Sequence, residues 1–238
     1  MKKQELLQGI KDGFPICLGY FSVSMAFGLT AVLSGLPIWS AILMSFSNLT
    51  SAGQFAGTNI LVENGTFIEL IITTLIINIR YFLMSLSVSQ KLNPNLSIKE
   101  RLAISFGITD EVFAVSMQRN KELSFTYMAG LILTPVIGWT AGTAVGSVAS
   151  QFMPQILTNA MGIALYGMFI AIIIPPAREN KNIMATVIMA IASSLLFKYL
   201  PYISKISEGW TIIIITVAVS AISATLFPLK NTNEEVRR

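Results

Sequence analysis

Apolar residues run along this chain in long blocks, broken at short intervals by small clusters of polar and charged positions. The blocks lie at roughly 14–35, 37–62, 66–90, 102–118, 124–149, 159–177, 182–200 and 208–228. Most reach the ~20 residues that an α-helix needs to cross the hydrocarbon core of a bilayer. Their pattern predicts an all-α polytopic integral membrane protein with about eight transmembrane helices. Residues 1–13 read as a polar N-terminal segment and 229–238 as a polar tail, leaving one membrane domain over 1–238. Pro15, Gly19 and Gly28 argue against a straight first helix. Pro135 predicts a kink in the fifth, and Pro175 with Pro176 predict the end of the sixth.

The second block is unusual. Its ends are apolar, but its middle reads Ser45–Phe46–Ser47–Asn48–Leu49–Thr50–Ser51–Ala52–Gly53–Gln54. A discontinuous helix accounts for this, with Ser51 capping the second half. Gly53 and Gly57 stand at GxxxG spacing, so close helix packing is a compatible reading. Both halves of the chain, 14–122 and 123–228, open on a glycine-rich span, which suggests a structural repeat.

Composition supports a membrane location. Hydrophobic residues make up 53% of the 238 positions and charged residues 12%, about half the charged share of ordinary soluble domains. That excludes a soluble domain, a disulfide scaffold and a disordered chain. The net charge of +4 comes from Lys and Arg scattered through loops. It speaks for topology, not nucleic-acid binding. With eight spans and the N-terminus inside, ten cations fall in cytoplasmic segments and five outside, so both termini are expected in the cytoplasm. If 37–62 dips in and returns, the split becomes eight to seven. The chain has no histidine and one cysteine, Cys17. No metal-ligand set, cofactor motif or nucleophile–base pair is visible, so neither a metal, a cofactor nor an enzyme is expected.

Charge inside the bilayer carries the chemical information, because lipid cannot solvate it. Arg80 lies eleven residues before Lys91, and Asp110 eleven after Lys99. At about 1.5 Å per residue both sit roughly 16 Å from the same loop. Antiparallel helices would therefore bring them together near the midplane. Such a pair either fixes helix packing or forms a site for a charged ligand. Asp110 and Glu111 point about 100° apart, so one can meet Arg80 while the other faces a cavity and carries a proton. The candidate substrate-binding residues are Ser51, Gly53, Gln54, Phe55, Asn78, Arg80 and Tyr81, with Asp110 and Glu111 as proton-coupling groups. Phe55, Phe82 and Phe113 are the expected apolar enclosure. Gly138, Gly142 and Gly146 present one helix face of bare backbone, suited to helix packing or a partner.

Several of these residues carry a resemblance. Phe14–Pro15–Ile16, Gly19–Tyr20, Ala26–Phe27–Gly28, Ser51–Ala52–Gly53–Gln54–Phe55–Ala56–Gly57, Asn78 to Ser87, Thr109 to Ala114, and Trp139 with Gly142–Thr143 stand in order across 14–150. Together they resemble the AzlC family of branched-chain amino-acid export permeases. The chain departs from the family pattern at Phe21–Ser22–Val23–Ser24 and at Asn78. The resemblance implies a multi-pass protein of the bacterial inner membrane that exports leucine, isoleucine, valine or analogues. It also implies a small hydrophobic AzlD-type membrane subunit as partner. Proton coupling is expected from the acidic pair. A passive channel and a non-transporting assembly subunit are the alternatives.

Overall fold

The computed structural model describes residues 2–152, 170, 173–201, 203 and 205–228. The described residues are helical, and no strand occurs among them. In chain order the helices are α1 (Lys2–Leu33), α2 (Ile38–Ser47), α3 (Ser51–Val62), α4 (Phe67–Lys91), α5 (Ile98–Phe106), α6 (Asp110–Gln118), α7 (Phe125–Ala149), α8 (Lys181–Tyr199) and α9 (Glu208–Leu226). Five of them, α1, α4, α7, α8 and α9, are long and apolar enough to cross a membrane. Most of the expected sixth span and the polar tail lie outside the described residues. Residues 173–179 are helical, so the helix runs on past Pro175 and Pro176.

Backbone chemistry sets the helix starts. Thr50, Thr66, Ser97, Thr109 and Ser124 each accept a bond from the N–H three residues on, at 3.2–3.4 Å. This is the ordinary N-cap arrangement. Ser97 and Glu100 complete a reciprocal capping box, whose bonds from the Ser97 hydroxyl and N–H hold the Glu100 carboxyl below its ordinary range. The cap at the break in 37–62 is thus Thr50; Ser51 is the first helical residue behind it. After α1 the chain turns through Gly35 at φ +101°, a conformation that suits glycine.

The core is the parallel pair α1 and α7. Their backbones touch at a series of glycines. A Cβ on Gly142 would lie 2.1 Å from Ser24 Oγ and 2.2 Å from the Phe21 carbonyl oxygen. One on Gly28 would lie 2.2 Å from the Thr143 oxygen, and one on Gly9 2.2 Å from the Tyr127 oxygen. Gly138 and Gly146 meet Cys17 and Met25 in the same way. The three expected packing glycines of the fifth span therefore face the first. Gly9 and Gly13 extend the contact, so residues 2–13 form the first turns of α1 and not a separate segment.

Contacts fix the direction of the remaining helices. Where α4 ends, Lys91 Nζ donates to the carbonyls of Ser116 and Met117, at the end of α6. Leu92 pairs with Leu123, just before α7, and Arg101 of α5 reaches the carbonyls of Asn93 and Leu96. The end of α4, both outer ends of α5–α6 and the start of α7 thus share one side. Glu5 joins them through Arg119 and Ser124. We call this the N side. α5–α6 enters from it, breaks at 107–109, and returns to it.

α2–α3 mirrors this arrangement from the far side. Gln54 Nε2 donates to Ser45 Oγ at 2.9 Å, and Thr58 approaches Met44, so α2 and α3 fold back on each other around 48–50. Gly53 lies beside Asn78, and Gly57 beside Leu70, which sets α3 antiparallel to α4. Block 37–62 therefore dips in and returns, and 98–118 does the same. Neither is a single rod through the bilayer. Each hairpin follows a long helix, and α1 and α4 run in opposite senses, so the order long helix, short helix, break, short helix occurs twice, inverted. α9 starts on the far side, where Glu69 accepts from Ser207 Oγ and the Trp210 N–H. Thr186 of α8 meets Ser223 of α9 at 3.0 Å, antiparallel.

The α1–α7 seam has no room for side chains. Gly142→Val is expected to cost about 1–3 kcal/mol through overpacking, read as a lower thermal unfolding temperature of the detergent-purified chain.

Candidate functional site

The tips of the two hairpins meet beside the middle of α4 and enclose a cavity of about 500 Å³. One wall is polar: Ser51, Arg80, Tyr81, Asp110 and Glu111. The other is apolar: Pro15, Ile16 and Val23 of α1, Leu49 of the first break, and Trp139 of α7. Gly19 and Tyr20 of α1 also line the cavity.

Arg80 and Asp110 pair at 3.0 Å. Their side chains are 54% and 47% exposed, so the pair borders the open cavity and is not sealed in packing. The Arg80 guanidinium also lies 5.2 Å from the centre of the Tyr81 ring. The neighbouring carboxylate, Glu111, accepts from the Tyr20 hydroxyl. The two acids therefore face different elements, Asp110 toward α4 and Glu111 toward α1. Arg80 and Asp110 come together because α5 runs antiparallel to α4 from their common loop. The break at 107–109, which the apolar pattern does not mark, makes Asp110 the first residue of a new helix.

The two breaks carry different charge. The first turn of α6 bears Asp110 and Glu111, which offset the positive end of the helix dipole. The first turn of α3 bears no acid. Its first N–H groups lack intrahelical partners, and Ser51 opens onto the cavity. Thr50 also donates to Asn78 Oδ1 at 2.6 Å and receives the Gly53 N–H. Asn78 thus braces the break from α4 rather than lining the cavity, and Gly53 is buried between Thr50 and Asn78.

Gln54 and Phe55 stand behind the wall. Gln54 is 1% exposed. It accepts from Trp139 Nε1 at 2.8 Å and donates to Ser45, which shares a 2.7 Å bond with Thr143. This buried chain ties the first hairpin to α7 and holds the indole against the cavity. Phe55 packs edge-on against Phe27, with centroids 5.1 Å apart. Phe82 is 71% exposed on the outside of α4, and Phe113 packs against the apolar core. The apolar wall is therefore not Phe55, Phe82 and Phe113 but residues of α1, Leu49 and Trp139. Periodicity alone does not say which face of a lipid-embedded helix turns inward, because both faces are apolar.

Tyr20 is the residue that sequence reasoning missed. Its hydroxyl reaches Glu111, and its ring lies 5.3 Å from Trp139 at 70°. A hydroxylated ring in the middle of an apolar span was the available signal. No cluster of three or more metal-ligating side chains occurs among the described residues.

The arrangement defines a polytopic helical membrane protein with a cavity bounded by two inverted hairpins and lined by a cation, two acids and apolar side chains. Residues 15–153 match the AzlC protein family, and the chain belongs to it. Among its relatives is the inner membrane protein YgaZ of Escherichia coli, 25% identical over 200 residues, covering 80% of this chain and 82% of that protein. The branched-chain amino acid transport protein AzlC of Bacillus subtilis is 22% identical over 206 residues, 82% of this chain and 80% of that one. A membrane protein of Archaeoglobus fulgidus is 29% identical over 173 residues, 71% and 74% of the two chains. No solved structure matches.

Trp139→Phe keeps the aromatic wall but leaves the Gln54 carbonyl unpaired in a buried position. It is expected to destabilise the chain by about 1–3 kcal/mol, measured as loss of unfolding temperature in detergent.

Proposed function

We propose that this chain is a permease of the bacterial inner membrane that exports branched-chain amino acids, coupled to protons. In this reading it works with a small hydrophobic AzlD-type membrane subunit. The observation that carries the reading is one cavity lined both by opposite charges and by aliphatic and aromatic side chains. An amino acid with a branched aliphatic side chain has the same distribution. Its carboxylate would meet Arg80 and the acid-free N-terminus of α3, where Ser51 lies. Its ammonium group would meet Asp110. Its side chain would lie against Ile16, Val23, Leu49 and Trp139. Glu111, held by Tyr20, would carry the proton. The name of the Bacillus subtilis relative supports the substrate class.

The break in 37–62 acts, in this reading, as the movable half of the site. Re-entrant hairpins end at the cavity without crossing it, so either could shift without dragging a whole span through lipid. The inverted order of the two hairpins replaces the halves 14–122 and 123–228 as the repeat we propose.

Charge supports an orientation with the N side in the cytoplasm. That side carries Lys2, Lys3, Lys11, Lys91, Lys99, Arg101, Arg119, Lys121, Arg178 and Lys181, and the far side carries Lys198 and Lys205 among the described residues. The bias is steeper than the loop count from sequence, because returning α5–α6 to the N side moves Lys91, Lys99 and Arg101 there. Both ends of the described chain then face the cytoplasm.

Arg80→Gln, Asp110→Asn and Glu111→Gln should each lower saturable leucine efflux from energised vesicles at least tenfold, with the partner subunit present. Near-normal efflux in all three would sink the charged-site reading, and flux that neither saturates nor responds to a proton gradient would indicate a channel. In a Cys17→Ser background, Lys205→Cys should react with a membrane-impermeant maleimide on intact cells, and Lys99→Cys only after permeabilisation. The reverse pattern would invert the orientation.

A further inference from the structure

A glycine inside a helix is destabilising relative to alanine, so it persists where something else requires it. Most glycines of the α1–α7 seam are required by backbone contact. A Cβ on Gly9, Gly13, Gly28, Gly130, Gly138, Gly142 or Gly146 would lie 2.0–2.8 Å from a carbonyl or hydroxyl oxygen of the facing helix. Gly35 is required by its positive φ. Gly19 has neither reason. It lies within α1, four residues after Pro15, and a Cβ placed on it would meet no atom within 4 Å. Among the described glycines it is the one that has a negative φ and whose added Cβ would meet no atom at all within 4 Å. It lines the cavity, one residue before Tyr20 and on the wall that Pro15, Ile16 and Val23 form.

We propose that Gly19 is the residue that sets the size of the substrate side chain, its missing side chain being the space that the branched end of the substrate fills. This rests on the amino-acid export reading above and adds to it where selectivity resides. Gly19 lines the cavity with backbone alone, and open space lies where a side chain would otherwise project. In that reading the polar ends of the substrate are held by Arg80, Ser51 and Asp110, none of which lies on α1. A larger group at position 19 therefore acts on the side chain of the substrate and not on its charged end. One methylene in a hydrophobic pocket changes discrimination by about 10–200-fold, so the few carbons of alanine or valine suffice to alter the ranking of substrates.

The test uses the full chain with its partner subunit in energised vesicles, with leucine, valine and alanine as probes. Gly19→Val is expected to lower leucine efflux at least tenfold relative to alanine efflux, and Gly19→Ala to lower it by a smaller factor in the same direction. The unfolding temperature of Gly19→Ala in detergent should stay level or rise, whereas Gly28→Ala, at a packed glycine, should lower it. An unchanged leucine-to-alanine ratio in both variants, or an equal loss for every probe with a lower unfolding temperature, would overturn the assignment while leaving the export reading in place. Wild-type vesicles that move none of the three amino acids would overturn both.

Discussion

Two helical hairpins turn through non-helical backbone at 48–50 and 107–109, and lipid offers no partner to the backbone groups that such a break releases. Everything else in the structure follows from that constraint. The first break is held by Thr50, which caps α3, receives support from Asn48 and donates to Asn78 on α4. The second is held by Thr109, which caps α6, while Gly107 lets Ile132 of α7 close over it. A polar side chain at the break and a neighbouring helix pressed against it take the place of water. The same requirement keeps both breaks inside the protein, where they border a cavity instead of lipid.

The frame that allows this is the α1–α7 pair. With no hydrophobic force between helices in a bilayer, association depends on close contact, and glycine permits the closest. A seam of backbone against backbone leaves α1 and α7 little freedom to slide. The hairpins are short, and polar contacts add to the apolar packing that holds them. α2–α3 is tied to α7 by the Gln54, Ser45 and Thr143 chain; α5–α6 is tied to α1 by Glu111 with Tyr20 and by Arg119 with Glu5. In the proposed reading, α1–α7 is the fixed frame and the first hairpin is the movable half of the site.

Charge placement is consistent with the same frame. Arg80 alone at mid-depth would be costly. Asp110 neutralises it, and the positive end of α6 accommodates the second acid. In the proposed reading an amino acid, itself a zwitterion, enters this site without adding net charge to the bilayer.

Much of this was legible before any coordinates. The spans 66–90, 124–149, 182–200 and 208–228 correspond to α4, α7, α8 and α9 within two residues or so, because an apolar block between polar clusters has one stable form in lipid. Arg80 and Asp110 could be paired from their distance to a shared loop. Three things were not legible. The break at 107–109 hides in an apolar stretch where a single glycine and a threonine are the only marks. The inward face of each helix cannot be read when lipid and core are equally apolar, so Phe82 and Phe113 were placed in a wall that belongs to Ile16, Val23 and Trp139. The return of both hairpins to their own side is also invisible to hydropathy, which counts apolar length but not direction. The sequence by itself determined that this is a helical membrane protein with charges inside apolar blocks and a break in 37–62, since hydropathy and the cost of buried charge are local properties. Tertiary structure decided which way each segment turns and what surrounds the cavity, since those depend on contacts between residues such as Ser45 and Thr143, ninety-eight positions apart.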